Sequence, residues 1–80
     1  MMDVNNLIRM ANRIAEFFEA MPEHDEALDG VAQHIQKFWE PRMRLRILAA
    51  LNEPSEAAQL RPLVRDALHK HAALLEPVQA

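Results

Sequence analysis

The sequence has no cysteine, threonine or tyrosine, and its 80 residues include one serine, Ser55, and one glycine, Gly30. Without cysteine the chain can form neither a disulfide nor a thiolate metal site. A single glycine excludes a glycine-rich loop that cradles phosphates, and a single serine leaves hardly any hydroxyl nucleophile. These absences argue against an enzyme that acts alone.

The sequence also lacks a long apolar run, because its longest, residues 47–51, has five residues and a membrane span needs about twenty. The first residues include Asp3 and two asparagines before any arginine, unlike a signal peptide. Together with the absence of cysteine, these features predict a cytoplasmic protein with no membrane partner.

The net charge of −3 is unevenly distributed along the chain. Residues 1–40 hold eight acids and three bases, which gives −5, and residues 41–80 hold four acids and six bases, which gives +2. Nucleic-acid-binding domains are typically basic, and the acidic half would repel phosphates. The charge therefore disfavours nucleic acid as a partner.

The chain does contain enough large apolar residues for a small core. Leu, Ile, Val and Phe account for 21 of 80 residues, above the roughly 20% below which chains tend to stay disordered. Five prolines divide the chain, and between them apolar residues recur at the three- and four-residue steps of a helix. We therefore predict an all-α fold of four to five short helices, in one domain over residues 1–76 with a frayed tail at residues 77–80.

Capping residues and prolines predict the helix boundaries. Asp3 is placed to cap the first helix, which we expect to end near Ala20 or Met21 because Pro22 disfavours helical geometry before it. The second helix is expected to begin at or just after Pro22, with acids in its first turn. Gly30 lies within it at a cost of about 1 kcal/mol relative to alanine, and a close approach of another helix is the simplest reason.

Residues 42–51 alternate at first between arginine and apolar side chains, which is also the period of a strand. We predict a helix there, because the chain offers no partner strand and because Ile47, Leu48 and Leu51 return to helical spacing. Pro62 then separates a short helix from a longer one.

The histidines do not have the spacing of a metal site. A helical pair of ligands needs steps of three or four residues, but His69 and His71 are two residues apart. His34 stands alone among apolar residues, where an exposed helix-face histidine is more common than a ligand. We assign no catalytic, cofactor-binding or metal-binding residue and predict no cofactor.

Arginines alternate over residues 42–46, close to Trp39, and form the one basic cluster of the sequence. Such a cluster can bind RNA phosphates while a base stacks on the tryptophan. It can also form salt bridges within the molecule, to Glu16, Glu19 or the acidic start of the second helix. Arginine and tryptophan are enriched in the hot spots of protein interfaces, and we favour a protein partner.

The first two helices carry more apolar residues than one packing seam requires. The additional residues are Met10, Phe17 and Met21 beside the first stripe, and Trp39 and Met43 near the bend that Pro41 imposes. A domain of this size cannot bury all of them, and exposed apolar patches mark association sites.

Three segments resemble the delta subunit of the cytoplasmic, NAD-dependent, molybdenum-containing formate dehydrogenase: LIRMANRIAEFF at residues 7–18, VAQHIQKFWEPRMR at 31–44 and LRPLVRDAL at 60–68. The resemblance extends over roughly residues 5–70, and the string FWEPRMR is a specific feature. In this family the residue before Pro62 is often a small capping residue, so Arg61 predicts a less well capped helix start.

The resemblance implies a small, cofactor-free accessory subunit without catalytic residues. Its partners would be the large molybdopterin and iron–sulfur catalytic subunit, within a complex that also has flavin and iron–sulfur diaphorase subunits. Its role would be to support assembly or stability of the complex, or insertion of the molybdenum cofactor. The resemblance leaves open which subunit it touches and whether it stays in the mature complex.

We predict a partner-binding surface formed by Phe38, Trp39, Arg42, Met43 and Arg46, and extended by Arg9 and Met10 if the first helix packs alongside. Without its partner the chain is expected to be able to form a homodimer through this surface. Two alternatives stay open: a freestanding homo-oligomeric helical interaction module and a small nucleic-acid binder.

Overall fold

Within residues 3–77, which the computed structural model describes, the chain forms six helices. They are α1 (Val4–Phe18), α2 (His24–Phe38), α3 (Pro41–Ala50), α4 (Pro54–Ala57), α5 (Pro62–Lys70) and α6 (Ala72–Leu75). The all-α prediction is confirmed; α4 and α6 are single turns of four residues each. Residues 78–80 of the predicted tail lie outside the described residues.

Four of the helices begin at residues that the sequence marks. Oδ1 of Asp3 accepts a hydrogen bond from the backbone N–H of Asn5 at 2.9 Å, which confirms Asp3 as the cap of α1. Pro41, Pro54 and Pro62 each occupy the first helical position, where the missing N–H costs nothing. Residues 41–50 are therefore a helix and not a strand, as predicted.

Two features of the helix ends differ from the predictions. α1 ends at Phe18, two to three residues early, because the N–H of Met21 bonds back to the Phe18 carbonyl at 3.0 Å and closes a tight turn. The last segment is interrupted at His71, whose backbone leaves the helical region at φ −112° and ψ 26°. α6 is consequently a separate helix that the apolar spacing did not indicate.

The core lies where α2 packs against α1 and α5, with α3 and α6 closing one end. The contact faces carry alanines that are fully buried, among them Ala11, Ala15, Ala32 and Ala67, and such small side chains let helix backbones approach closely. The radius of gyration is 11.6 Å, close to the value of about 12 Å expected for a compact chain of this length. None of the helices within residues 3–77 is long and apolar enough to cross a membrane.

Gly30 of α2 lies directly against Phe18 of α1. A Cβ atom added to Gly30 would stand 2.5 Å from Cδ1 of the Phe18 ring, closer than real Cβ contacts. The predicted close approach is confirmed, although the neighbour is an aromatic ring rather than a helix backbone. The missing side chain at position 30 therefore makes room for this ring against α2.

Polar side chains connect α1 to the start of α5. Nδ2 of Asn12 donates to the carbonyl of Gln59 at 3.0 Å, and its Oδ1 accepts the backbone N–H of Arg61 at 2.8 Å. The guanidinium of Arg61 donates two hydrogen bonds to Glu19, at 2.7 and 2.8 Å. As predicted, the Arg61 side chain does not cap α5, because a cap accepts a hydrogen bond from a backbone N–H and a guanidinium has only donors.

Candidate partner-binding surface

The three arginines of α3 have different surroundings. Arg44 and Arg46 are half-buried and bonded within the molecule. Arg42 is exposed, and it makes no hydrogen bond or ion pair with another residue of the range 3–77. The basic cluster of the sequence is therefore not one surface.

Arg44 satisfies backbone carbonyls at two helix ends. Its Nε donates to the carbonyl of Leu75 at 2.9 Å, and its Nη1 donates to those of Trp39 at 2.9 Å and Gln36 at 3.2 Å. Carbonyls at helix C-termini lack intrahelical donors, and a cation there also faces the negative ends of the helix dipoles. Arg44 therefore holds the ends of α2 and α6 together.

Arg46 joins α3 to α4 through Glu56. Two of its nitrogens donate to the two carboxylate oxygens of Glu56, at 3.1 and 2.8 Å, and this paired bond raises the pKa of Arg46. The intramolecular salt bridge considered from the sequence thus exists for Arg46, but not with Glu16 or Glu19. Glu19 is instead held by Arg61, whose hydrogen bonds lower the pKa of the Glu19 carboxyl.

Trp39, which the sequence placed on the partner-binding surface, lies in the core. Its exposed fraction is 5%, and the half-buried Met43 packs against the same core. Large aromatic side chains dominate small cores because they bury the most area. Trp39, Met43 and Arg46 are thus turned to the inside of the molecule or bonded within it.

The other predicted surface residues are exposed: Arg9, Met10, Phe38 and Arg42. The guanidinium of Arg9 donates to Oδ1 of Asn6 at 3.0 Å. Together with Met10 and Arg13, these two residues line a recess of about 160 Å³ on the outer side of α1. The surface that remains available for a partner therefore includes α1 as well as the bend between α2 and α3.

The largest exposed aromatic side chains lie where α1 packs on α2. Phe17 and Phe38 are 75% and 65% exposed. Four side chains line a concave cavity of about 240 Å³, which we name the aromatic recess: Ile14, Phe17, Phe18 and His34. The ring centroids of Phe17 and Phe18 are 5.1 Å apart and edge to face, and those of His34 and Phe38 are 4.8 Å apart.

The sequence indicated only part of the aromatic recess. Part of a set of five apolar residues was expected to be exposed, and in the structure Met10, Phe17 and Met21 are exposed whereas Trp39 and Met43 are not. His34 is an exposed helix-face residue, as predicted. No spacing along the chain could have shown that His34 stands beside Phe17, because only the packing of α1 on α2 brings them together.

Ionisable side chains connect α2 to the end of α5. Oδ1 of Asp29 lies 2.6 Å from Nε2 of His71 and 3.5 Å from Nζ of Lys70. An ionised carboxylate only accepts hydrogen bonds, so Nε2 of His71 carries the proton. The hydrogen bond from His71, together with the charge of Lys70, lowers the pKa of Asp29. In the part of the chain that is described, no three His, Asp or Glu side chains could together hold a metal ion.

The aromatic recess and the seven predicted surface residues all fall within one matched region. The family model described as NADH-dependent formate dehydrogenase delta subunit, FdsD, matches residues 6–68. The chain belongs to this family. The match confirms the resemblance carried by the three sequence segments, and it runs from the first turn of α1 into α5. No curated protein and no solved structure matches the chain.

Membership in the FdsD family makes the chain a delta subunit of formate dehydrogenase. A delta subunit is one component of a larger enzyme, so membership indicates association with the other formate dehydrogenase subunits. It also suggests an accessory rather than a catalytic role.

Proposed function

We propose that the chain is a non-catalytic accessory subunit of a cytoplasmic, NAD-dependent molybdenum formate dehydrogenase. The FdsD match over residues 6–68 carries this proposal. The subunit supports assembly or stability of the complex, or insertion of the molybdenum cofactor. It acts through contacts with the large molybdopterin and iron–sulfur catalytic subunit, within the complex that includes the diaphorase subunits.

The chemistry of the described side chains supports a role in contacts. Ser55 is the only residue of the sequence with a hydroxyl or thiol side chain that could act as a nucleophile. Three carboxylates are bonded to basic side chains on other elements: Glu19 to Arg61, Glu56 to Arg46 and Asp29 to His71. Such pairs fix helices relative to one another, and this accounts for these carboxylates as structural contacts.

The exposed members of the predicted surface are proposed to touch the partner: Arg9, Met10, Phe38 and Arg42. Trp39 contributes indirectly, because burial of its ring fixes the bend from which Phe38 and Arg42 project. Nucleic acid is a weaker alternative, since binding a phosphate backbone takes a groove of several cations. Of the three arginines of α3, Arg44 and Arg46 are already engaged.

An affinity-tagged chain recovered from the source cells, grown with molybdate and formate, tests the proposal. The recovered proteins are identified by mass spectrometry and assayed for formate-dependent reduction of NAD. Stoichiometric large subunits with activity indicate a resident subunit, whereas small amounts of inactive, cofactor-poor subunits indicate an assembly factor. Recovery without any formate dehydrogenase subunit contradicts the proposal and favours a freestanding homo-oligomeric module.

A further inference from the structure

We infer that the aromatic recess binds an acidic, amphipathic segment of a partner subunit, which inserts a large apolar side chain and sets carboxylates against the neighbouring cations. This inference rests on the proposed function. It specifies which surface of the chain makes the contact and which chemistry the partner presents.

All three phenylalanines of the chain stand at this one surface. Phe17 and Phe38 are mostly in solvent, although a domain this small has few bulky side chains to spare from its core. Exposed apolar clusters mark association sites, and aromatic side chains that enter pockets dominate interface energetics. The position of these rings therefore indicates a binding surface.

The surface is concave, and Gly30 contributes to its shape. The Phe18 ring occupies the space next to α2 that a side chain at position 30 would fill, and it forms one wall of the recess. The recess measures about 240 Å³, below the roughly 300–1,000 Å³ of small-molecule sites. Its size suits one or two side chains of a protein partner.

Nine lysines and arginines occur in the chain, and they fall into two groups. Five bind carboxylates or backbone carbonyls of the described residues: Arg44, Arg46, Arg61, Arg65 and Lys70. Four make neither contact within residues 3–77, and all are exposed: Arg9, Arg13, Lys37 and Arg42. This second group is available for the carboxylates of another molecule.

The packing of α1 on α2 defines where the available cations lie. Phe18 stands against Gly30, and Ile14 lines the recess together with His34, so the two helices run antiparallel. Each step of four residues back along α1 corresponds to a step of four residues forward along α2. Position 10 of α1 therefore lies beside position 38 of α2. The beginning of α1 and the end of α2 consequently form one end of the recess surface.

Two of the available cations lie beside the exposed aromatic rings. Arg13 is one turn before Phe17 on α1, at the four-residue step that places two side chains next to each other, and Nζ of Lys37 is 5.7 Å from the centroid of the Phe38 ring. Arg9 lies one further turn away, in the recess on the outer side of α1. Arg42 follows in the first turn of α3. An apolar recess with unpaired cations at one end is complementary to an apolar side chain followed by carboxylates.

Two other occupants are outcomes of the test below. A second copy of the chain would also offer carboxylates, since Glu23 and Glu26 are exposed and form no ion pair within residues 3–77, and cross-links between two copies would identify it. Single-stranded nucleic acid stacks on aromatic platforms along a basic groove. The exposed carboxylates of Glu16 and Glu40 adjoin the recess residues in sequence, so the surface around the recess is not a continuous basic groove.

Photo-cross-linking to the enzyme tests the inference. A benzoyl-phenylalanine is placed at position 17 or 38, and matched controls carry it at Leu45 or Leu74, which are exposed apolar positions elsewhere (48% and 47%). Each chain is added to formate dehydrogenase purified from a strain that lacks this subunit. We expect positions 17 and 38 to cross-link to one stretch of a partner subunit that combines Asp and Glu with apolar residues at helical spacing.

Affinity measurements with the same enzyme give a second readout. Phe17→Ser combined with Phe38→Ser is expected to weaken binding about tenfold or more. Arg13→Glu combined with Lys37→Glu should also weaken binding and remove its salt dependence. The control pair, Leu45→Ser with Leu74→Ser, should stay within about twofold of the parent chain. All positions are exposed, so unchanged thermal melting verifies the fold.

Several results would overturn the inference. Cross-links from positions 45 and 74 alone, or from 17 and 38 to a stretch without acids, would place the contact or the chemistry elsewhere. Cross-links between two copies would identify a homodimer, and tight binding of a single-stranded RNA that displaces the enzyme would identify nucleic acid. If the unmodified chain does not bind the enzyme at all, the proposed function itself fails and the inference fails with it.

Discussion

Replacing Arg44 with methionine tests whether one half-buried guanidinium holds two helix ends together. Methionine keeps most of the length of the stem and is a good helix former, so the substitution removes little besides the donors. Three carbonyls lose their partner: those of Gln36, Trp39 and Leu75. The cation that faces the C-terminal ends of α2 and α6 is lost as well.

The magnitude follows from the geometry of these bonds. Hydrogen bonds that involve a charged group contribute about 1.5–3 kcal/mol each. The site of Arg44 is only partly buried, and water replaces some of the lost donors, so we expect a total of about 2–3 kcal/mol. A core of this size supplies about 3–5 kcal/mol in all. Arg44→Met should therefore remove about half or more of the free energy of unfolding.

Urea unfolding, monitored by tryptophan fluorescence, measures this loss. Trp39 is the only tryptophan of the sequence, and its side chain is only 5% exposed in the folded chain. With a slope of about 1 kcal/mol per molar urea for so small a protein, the midpoint should fall by about 2 M or more. Arg42→Met is the matched control on the same helix and should change stability by less than about 0.5 kcal/mol. Equal shifts for the two variants would refute the argument.

Three further substitutions have definite expected outcomes. Gly30→Ala should destabilise the fold by about 1 kcal/mol, since overpacking against Phe18 costs about 1–3 kcal/mol and the better helix propensity of alanine restores about 1 kcal/mol. In a chain that also carries Phe18→Leu, Gly30→Ala should be neutral. A higher Tm for Gly30→Ala alone would contradict this. The hydrogen bond from His71 holds the pKa of Asp29 below 3.8. The ionised Asp29 therefore stabilises the folded state above about pH 4, and this contribution is lost as the pH falls through the folded-state pKa. In Asp29→Asn the free energy of unfolding should decrease less steeply as the pH falls, and identical acid unfolding of variant and parent would argue against this. Asp3→Ala should cost about 1 kcal/mol through the lost cap of α1, which an unchanged urea midpoint would disprove.

The helical elements were largely predictable because their signals are local. The cap at Asp3 and the prolines at positions 41, 54 and 62 act on their own backbone neighbours, so the starts of α1, α3, α4 and α5 could be recognised from the sequence. The division at His71 could not, since the residues around it continue the apolar spacing of α5. A backbone bend that no proline or glycine marks leaves no trace in a hydrophobic period.

The candidate surface was predictable only in part, because the exposure of a side chain depends on which helix covers it. Three arginines at alternate positions are equivalent in the sequence. In the folded chain Arg44 donates hydrogen bonds to carbonyls at helix ends 8 and 31 residues away in the sequence. Arg46 forms a salt bridge with Glu56, and Arg42 is exposed to solvent. Tryptophan is likewise a residue type common in interface hot spots, but the packing of α2 places Trp39 in the core.

The sequence by itself determined the fold class, most of the helix starts and the family, because helical period, caps and a distinctive string of residues are all properties of neighbours along the chain. The tertiary structure alone decided which cations are already bonded and which are available. It also decided that Phe17 and His34, which lie on different helices, share one recess. Both depend on contacts between residues far apart in the chain, and such contacts form only when the apolar faces of the helices bury one another.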